Sequence, residues 1–205
     1  MVLTPSTMLP LGTPLPAFSL AQVAGAGAAS SAASGESSPG TWRTAGLSPQ
    51  PVLVLFLCAH CPFVKHIEPE LSRLERDYGD RVQIVAISSN STRTHPQDGP
   101  AGLRAQAERC GWRFPYLFDA DQSVARAFQA ACTPDLFLFG PADPSHQLVY
   151  RGQLDASRPG SSGPQAARLD GRDLRAALDA LLAGLPVDPQ QTPSIGCNIK
   201  WHPDG

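Results

Sequence analysis

The sequence predicts an α/β domain with a central mixed sheet flanked by helices. Two apolar runs, residues 51–57 and 81–88, lie on either side of a segment with helical periodicity, residues 62–78. Continuous apolar runs are typical of strands buried on both faces, and the order strand–helix–strand predicts a right-handed unit with parallel strands. Two later runs, 135–139 and 147–151, are joined by a short loop rich in Gly and Pro, which predicts an antiparallel pair.

Residues 1–49 are predicted to form an extension that precedes the core. Phe18-Ser19-Leu20 is predicted to be a short edge strand, since the prolines around it are tolerated at sheet edges and not in central strands. Residues 24–40 consist largely of Ala, Gly and Ser, and such a segment buries too little apolar area to order itself. We therefore expect a flexible loop there.

The helix at 62–78 has clear start and stop signals. Pro62 suits the first helical turn, Pro69 is expected to kink the helix, and Gly79 ends it. One face of the helix is predicted to be apolar because hydrophobic residues recur every three or four positions. These residues are Val64, Ile67, Leu71, Leu74 and Tyr78.

The second half of the chain alternates helices with short strands. Helices are predicted at residues 101–110 and at about 121–130, with a short strand at 114–118 between them. A last helix at 170–183 carries a stripe of leucines and is followed by Gly and Pro. The tail, residues 185–205, shows no periodicity.

Composition excludes several function classes. The 205 residues carry 16 basic and 18 acidic side chains, a net charge of −2, with no basic cluster that would bind nucleic acid or an anionic membrane. No apolar run is long enough to span a bilayer. The five cysteines are an odd number, which argues against a disulfide framework of a secreted domain, and we expect a cytoplasmic protein. Nothing in the sequence predicts the oligomeric state.

The strongest functional signal is Cys58-Ala59-His60-Cys61-Pro62, directly after the first apolar run. A Cys-x-x-Cys pair between a strand and a helix is typical of thiol–disulfide chemistry, in which the thiolate is the nucleophile. The positive end of the helix dipole at Cys58, together with His60, would favour that thiolate. We therefore predict that Cys58 attacks and Cys61 resolves, the two being close enough to form a disulfide.

Two other interpretations of the same residues stay open at this point. The pair could consist of inert core thiols, or it could belong to a zinc or copper site. No second Cys-x-x-Cys or His-x-x-x-His pair completes a tetrahedral set, so no metal site is predicted. The residues considered as soft or borderline ligands are Cys58, His60, Cys61, His66 and Cys132.

Residues 50–184 resemble the thioredoxin superfamily. The resemblance rests on the Cys58-x-x-Cys61 motif at the start of a Pro-containing helix, and on Thr133-Pro134 before a strand, which matches the cis-proline that faces the dithiol in that fold. The segments 11–20, 131–138 and 194–201 are similar to a peroxiredoxin-like subgroup (redoxin; alkyl hydroperoxide reductase/thiol-specific antioxidant).

The resemblance implies a thiol–disulfide oxidoreductase with an antioxidant or redox-homeostasis role. Thr133 and Pro134 would position the extended backbone of a thiol or disulfide partner, and no cofactor is needed because another dithiol supplies the electrons. In true peroxiredoxins the peroxidatic cysteine corresponds to Cys61 and a Thr or Ser lies three residues earlier, where this chain has Cys58. This departure favours dithiol exchange. A weak thiol-dependent peroxidase acting on hydroperoxides, and a metal-binding or non-catalytic interaction protein, are the alternatives.

Two further cysteines are candidates for the same site. Cys132 precedes Thr133-Pro134 and would either tune the dithiol, form an alternative disulfide, or serve as a small buried hydrophobe. If the tail folds back, Cys197 would be an extra resolving thiol. His95 lies in a polar loop and is expected to be solvated.

Overall fold

The computed structural model describes residues 3–27, 40–163 and 166–203. Ten strands, four α-helices and one 3-10 helix follow one another in the described residues. In chain order they are β1 Leu3–Pro5, β2 Ser19–Ala24, β3 Thr41–Arg43, β4 Val52–Phe56, α1 Pro62–Tyr78, β5 Gln83–Ser88, the 3-10 helix Pro96–Asp98, α2 Pro100–Cys110, β6 Tyr116–Phe118, α3 Ser123–Ala127, β7 Cys132–Thr133, β8 Asp135–Phe139, β9 Leu148–Gly152, α4 Arg172–Leu182 and β10 Ile195–Asn198.

Seven strands form the main sheet in the order β3-β2-β6-β5-β4-β8-β9. The strands β4, β5 and β6 are parallel to one another, whereas β8 and β9 pair antiparallel beside β4. The mixed sheet and its parallel strand–helix–strand unit are therefore confirmed. All five residues of β4 are buried, as expected for a strand with neighbours on both sides and helices on both faces.

The alternation of side chains along β4 divides the core into two clusters. On one face, Leu53 and Leu55 belong to the cluster that also contains buried residues of α1, α2 and α4. On the other face, Val54 and Phe56 belong to the cluster that includes buried residues of α3. The first cluster continues to Leu57, Cys58 and Cys61, so the motif lies within the buried core.

The N-terminal region differs from the expectation in one respect. The strand predicted at Phe18–Leu20 is β2, but it lies inside the main sheet, because β3 pairs with its outer side. Pairing between segments about twenty residues apart leaves no mark in local periodicity. Of the low-complexity segment predicted to be a flexible loop, residues 28–39 lie outside the described residues.

A second, three-stranded sheet joins the two ends of the chain. Its order is β1-β10-β7, and all of its pairs are antiparallel. The tail, for which the sequence showed no periodicity, thus contains a strand at Ile195–Asn198. This strand pairs at Cys197 with Leu3 on one side and with Thr133 on the other. In the described part of the chain, no helix has the length and apolar character needed to cross a membrane.

Candidate active site

The backbone that carries the two cysteines turns from β4 into α1. The N–H of Leu57 still donates to the carbonyl of Ile87 in β5, and α1 begins at Pro62 with Cys61 as its N-cap residue. The sequence placed the helix dipole at Cys58, whereas the structure brings Cys61 closest to the helix N-terminus. The loop between them is held by Asp98, whose Oδ1 accepts hydrogen bonds from the N–H groups of Ala59 (2.9 Å) and His60 (3.2 Å).

Three sulfur atoms converge beside Thr133. Cys58 Sγ lies 3.3 Å from Thr133 Oγ1, and Cys61 Sγ lies 3.3 Å from the Thr133 carbonyl oxygen. Cys197 Sγ, on β10, lies 2.7 Å from Cys61 Sγ. The tail therefore folds back onto the motif. Cys58 and Cys61 have no exposed surface, and Cys197 is 3% exposed, so this site is closed to large molecules.

The peptide bond between Thr133 and Pro134 is cis, as the resemblance implied. Thr133 ends β7, and its backbone pairs with Cys197 of β10. The backbone edge at which the resemblance would seat an extended partner is thus occupied by the chain's own tail. A protein partner would have to displace β10 to pair at Thr133.

The two cysteines of the motif have opposite electrostatic environments. The pKa of Cys61 is lowered to about 5, because the neighbouring Cys58 side chain favours its anion most, and the Cys197 side chain and the backbone N–H groups of Val64 and Cys197 add to this effect. The pKa of Cys58 is raised well above its usual value, because the neighbouring Cys61 sulfur, its own burial and the nearby Asp98 carboxylate all disfavour its anion. In the reduced protein these effects favour the thiolate on Cys61. The prediction that Cys58 attacks first rested on a helix dipole that the structure centres on Cys61.

Asp98 is the centre of a polar cluster that sequence reasoning missed. Its side chain is fully buried, and its Oδ2 accepts hydrogen bonds from Asn90 Nδ2 (2.8 Å) and lies 2.5 Å from His60 Nδ1. His95, expected to be solvated, stacks on the His60 ring with centroids 4.8 Å apart. Asn90, His95 and Asp98 come from the segment after β5, for which the sequence predicted only a polar loop, and no motif marked Asp98.

Cys132 is fully buried in β7, and its thiol donates to the carbonyl oxygen of Pro134 at 3.5 Å. Burial and the nearby Asp135 carboxylate raise its pKa, so this thiol stays protonated. Its part in the redox chemistry stays a prediction. Pro62 occupies the first position of α1, where its missing N–H is not needed.

In the described residues, one group of side chains has the proximity of a metal site: Cys58, His60 and Asp98, whose ligand atoms lie within 4.8 Å of one another. The Asp98 carboxylate already accepts hydrogen bonds from two backbone N–H groups and from Asn90, and it pairs with His60. A metal ion would have to replace these hydrogen bonds. His66, another ligand considered from the sequence, instead pairs with Ser157 Oγ at 2.9 Å.

The fold and the buried dithiol beside a cis-proline define a thioredoxin-like protein, and comparisons with known proteins give its family. Residues 11–150 match the model of the AhpC/TSA family, and the chain belongs to this family. A search of curated proteins gives no match.

Solved structures include two that are similar over the whole chain. An uncharacterised conserved protein from Geobacillus kaustophilus is 43% identical, with 100% of this chain and 99% of that chain covered and a TM-score of 0.84. A hypothetical protein from Sinorhizobium meliloti is 39% identical, with 98% and 99% covered and a TM-score of 0.83. Mycobacterium bovis AhpC, at 19% identity, 89% and 97% coverage and a TM-score of 0.58, shares the fold.

Proposed function

We propose that this protein is a thiol–disulfide oxidoreductase that cycles between a Cys58–Cys61 dithiol and a disulfide. Family membership supports a redox function on thiol or disulfide substrates. The observation that carries the finer proposal is that both buried sulfurs lie 3.3 Å from atoms of Thr133, an arrangement in which the pKa of Cys61 is lowered and that of Cys58 is raised. A low-pKa thiolate beside a second thiol is the arrangement that disulfide exchange requires.

The reaction is an exchange of disulfides. One thiolate of the pair attacks a substrate disulfide, forms a mixed disulfide and releases one substrate thiolate. The second thiol of the pair, once deprotonated, attacks the mixed disulfide, so that the substrate gains two electrons and the Cys58–Cys61 disulfide forms. Another dithiol reduces the pair again. The sequence predicts Cys58 as the attacking thiol, whereas the lowered pKa of Cys61 favours the anion there. The experiment therefore has to identify which thiol attacks first.

The test is a titration of the full-length protein in thiol/disulfide buffers, followed by alkylation and mass-spectrometric mapping of every cysteine. We expect a reversible Cys58–Cys61 disulfide with a single midpoint. The Cys58→Ser/Cys197→Ser and Cys61→Ser/Cys197→Ser double variants, mixed with a small aromatic disulfide, identify the attacking thiol. Each keeps one thiol of the pair and lacks the neighbouring Cys197 thiol that could resolve it, so only the variant that keeps the attacking thiol accumulates the mixed disulfide. Cys110→Ser is the matched control, since Cys110 lies at the end of α2. If Cys58 and Cys61 both stay free at every buffer ratio, the proposal is wrong.

A weak thiol-dependent peroxidase is the second candidate. Membership of the AhpC/TSA family and the lowered pKa of Cys61 favour it, because a thiolate can attack a peroxide and form a sulfenic acid that a neighbouring thiol condenses. Consumption of hydrogen peroxide that depends on an added dithiol, and that is lost in Cys61→Ser but not in Cys110→Ser, would support this activity. The absence of turnover above the Cys61→Ser background would exclude it.

A cytoplasmic location of the protein stays a prediction.

A further inference from the structure

We propose that Cys197 is a third exchange thiol, which attacks Cys61 in the oxidised protein and moves the disulfide from Cys58–Cys61 to Cys61–Cys197. This inference rests on the proposed function, because it needs the Cys58–Cys61 disulfide as its starting point. It assigns the C-terminal tail a chemical role in the site and not only a structural one.

The geometry of the tail strand carries the proposal. Cys197 Sγ lies 2.7 Å from Cys61 Sγ, and both sulfurs are buried. A disulfide is about 2.05 Å long, so the two atoms need to approach by less than about 1 Å. Cys61 thus stands between two thiols, Cys58 in the loop before the helix and Cys197 on β10, and it hydrogen-bonds to Cys197.

The position of Cys197 is fixed by its strand on both sides. Its backbone pairs with Thr133 of β7 and with Leu3 of β1. The preceding residue, Gly196, packs so closely on β7 that a Cβ atom there would lie 2.1 Å from the Thr133 carbonyl oxygen. Only glycine permits this approach, and the approach is what brings the Cys197 sulfur to Cys61.

The step balances without any new oxidant. The Cys197 thiolate attacks Cys61 Sγ, the Cys61–Cys197 bond forms, and the Cys58–Cys61 bond breaks. The electron pair of the broken bond leaves with the Cys58 sulfur, which takes up the proton that Cys197 released. No electrons enter or leave the protein, because the substrate disulfide of the proposed function has already oxidised the pair.

The electrostatics of Cys197 are consistent with a step that follows oxidation. In the reduced protein, burial and the interaction with the Cys61 sulfur raise the pKa of Cys197 to about 12. Oxidation of Cys61 removes the charge on that sulfur, and with it the second cause, while Lys200 continues to favour the Cys197 thiolate. We therefore expect Cys197 to react only after the Cys58–Cys61 disulfide has formed.

The experiment follows the disulfides of the full-length protein over time. Reduced protein is mixed with a small disulfide oxidant, quenched with acid at intervals, alkylated and mapped. In the wild type and in the Cys110→Ser control we expect Cys58–Cys61 first and Cys61–Cys197 afterwards, the second with a rate constant independent of protein concentration. Cys197→Ser should stop at Cys58–Cys61, and Cys58→Ser should form Cys61–Cys197 directly.

The outcomes separate this inference from the proposed function. A wild-type protein that forms Cys58–Cys61 while Cys197 stays free overturns the inference and leaves the proposed function intact. A Cys197 disulfide whose rate rises with protein concentration also overturns it, because the bond would then join two molecules. If no disulfide of Cys58 forms at all, the proposed function fails and the inference fails with it.

Discussion

At the scale of single residues, the pKa values of the two thiols depend on the polar groups that surround each sulfur. The sequence identified Cys58 and Cys61 from their spacing, and it identified His60 as a neighbouring group. It could not identify Asp98, because this carboxylate reaches the motif from 38 positions away in the chain. The negative charge of Asp98 raises the pKa of Cys58, the opposite of the effect that the helix dipole was expected to have there.

The effect of Cys58 on the pKa of Cys61 leads to a prediction with a matched pair of variants. Cys58→Ala removes the polar side chain that favours the Cys61 anion most, and should raise the pKa of Cys61 from about 5, because an anion that loses a neighbouring donor group becomes easier to protonate. Cys58→Ser keeps a hydroxyl donor and should leave the Cys61 pKa near the wild-type value. The measurement is the ultraviolet absorbance of the thiolate in reduced protein as a function of pH.

Cys61→Ser serves as the control for this titration, since it should lose the low-pH transition completely. Equal midpoints for Cys58→Ala and the wild type would show that Cys58 does not stabilise the thiolate. A transition that survives in Cys61→Ser would assign the thiolate to another cysteine.

At the scale of elements, α1 carries the site and is anchored to α4 by a buried ion pair. Glu70 of α1 is 1% exposed, and it accepts a hydrogen bond from Arg175 of α4 at 2.7 Å and another from Arg73. The sequence predicted both helices from their apolar stripes, and the stripes indeed face the core. It could not predict the pair between them, because polar partners on two separate helices leave no periodic signal.

Removal of Arg175 should destabilise the protein, because the buried Glu70 carboxylate loses one of its cationic partners. Arg175→Met preserves much of the side-chain volume but removes a charged partner of Glu70, and we expect the free energy of unfolding to fall by about 2 kcal/mol. The loss is smaller than the roughly 3–5 kcal/mol typical of a fully broken buried pair, because Arg73 still pairs with Glu70. Urea denaturation of the reduced protein measures the change.

Arg172→Met is the control for the same helix. Arg172 pairs with Asp170 at 2.8 Å on the surface, its side chain is 61% exposed, and its replacement should leave the urea midpoint unchanged. In the double variant Glu70→Gln/Arg175→Met, part of the lost stability should return, because the uncompensated charge is gone. Equal losses for Arg175→Met and Arg172→Met would contradict the buried-pair interpretation.

At the scale of the whole molecule, the local patterns of the sequence predicted the central sheet and its helices. They did not predict the long-range pairing between the two ends of the chain. The boundaries of α1, Pro62–Tyr78, follow from its apolar stripe and its flanking Pro and Gly. The strands β1 and β10 are 3 and 4 residues long and pair across almost the full chain. Short strands without alternation carry no period, so their existence depends on partners that only the folded chain provides.

The tail is also attached beyond β10, which makes it a continuous cover over the dithiol. The backbone N–H of Lys200 donates to Asn90 Oδ1 (2.8 Å), and the N–H of Ser91 donates to the Lys200 carbonyl (2.7 Å). Asn90 in turn donates to Asp98, which holds the Cys58–Cys61 loop. The ends of the chain and the reactive loop are therefore parts of one hydrogen-bonded unit, and loosening the tail should expose the sulfurs.

Gly196→Ala tests this cover in the full-length chain. The new Cβ would lie 2.1 Å from the Thr133 carbonyl oxygen, so β10 must move away from β7. We expect alkylation of reduced Cys61 by iodoacetamide to become at least about tenfold faster. This factor corresponds to a decrease of about 1.4 kcal/mol in the free energy required to open the site. Gly140→Ala is the matched control, because a Cβ there meets Val149 at an ordinary 3.5 Å and should not change the rate. If both variants react at the wild-type rate, β10 does not limit access to Cys61, and the dithiol must open by another movement.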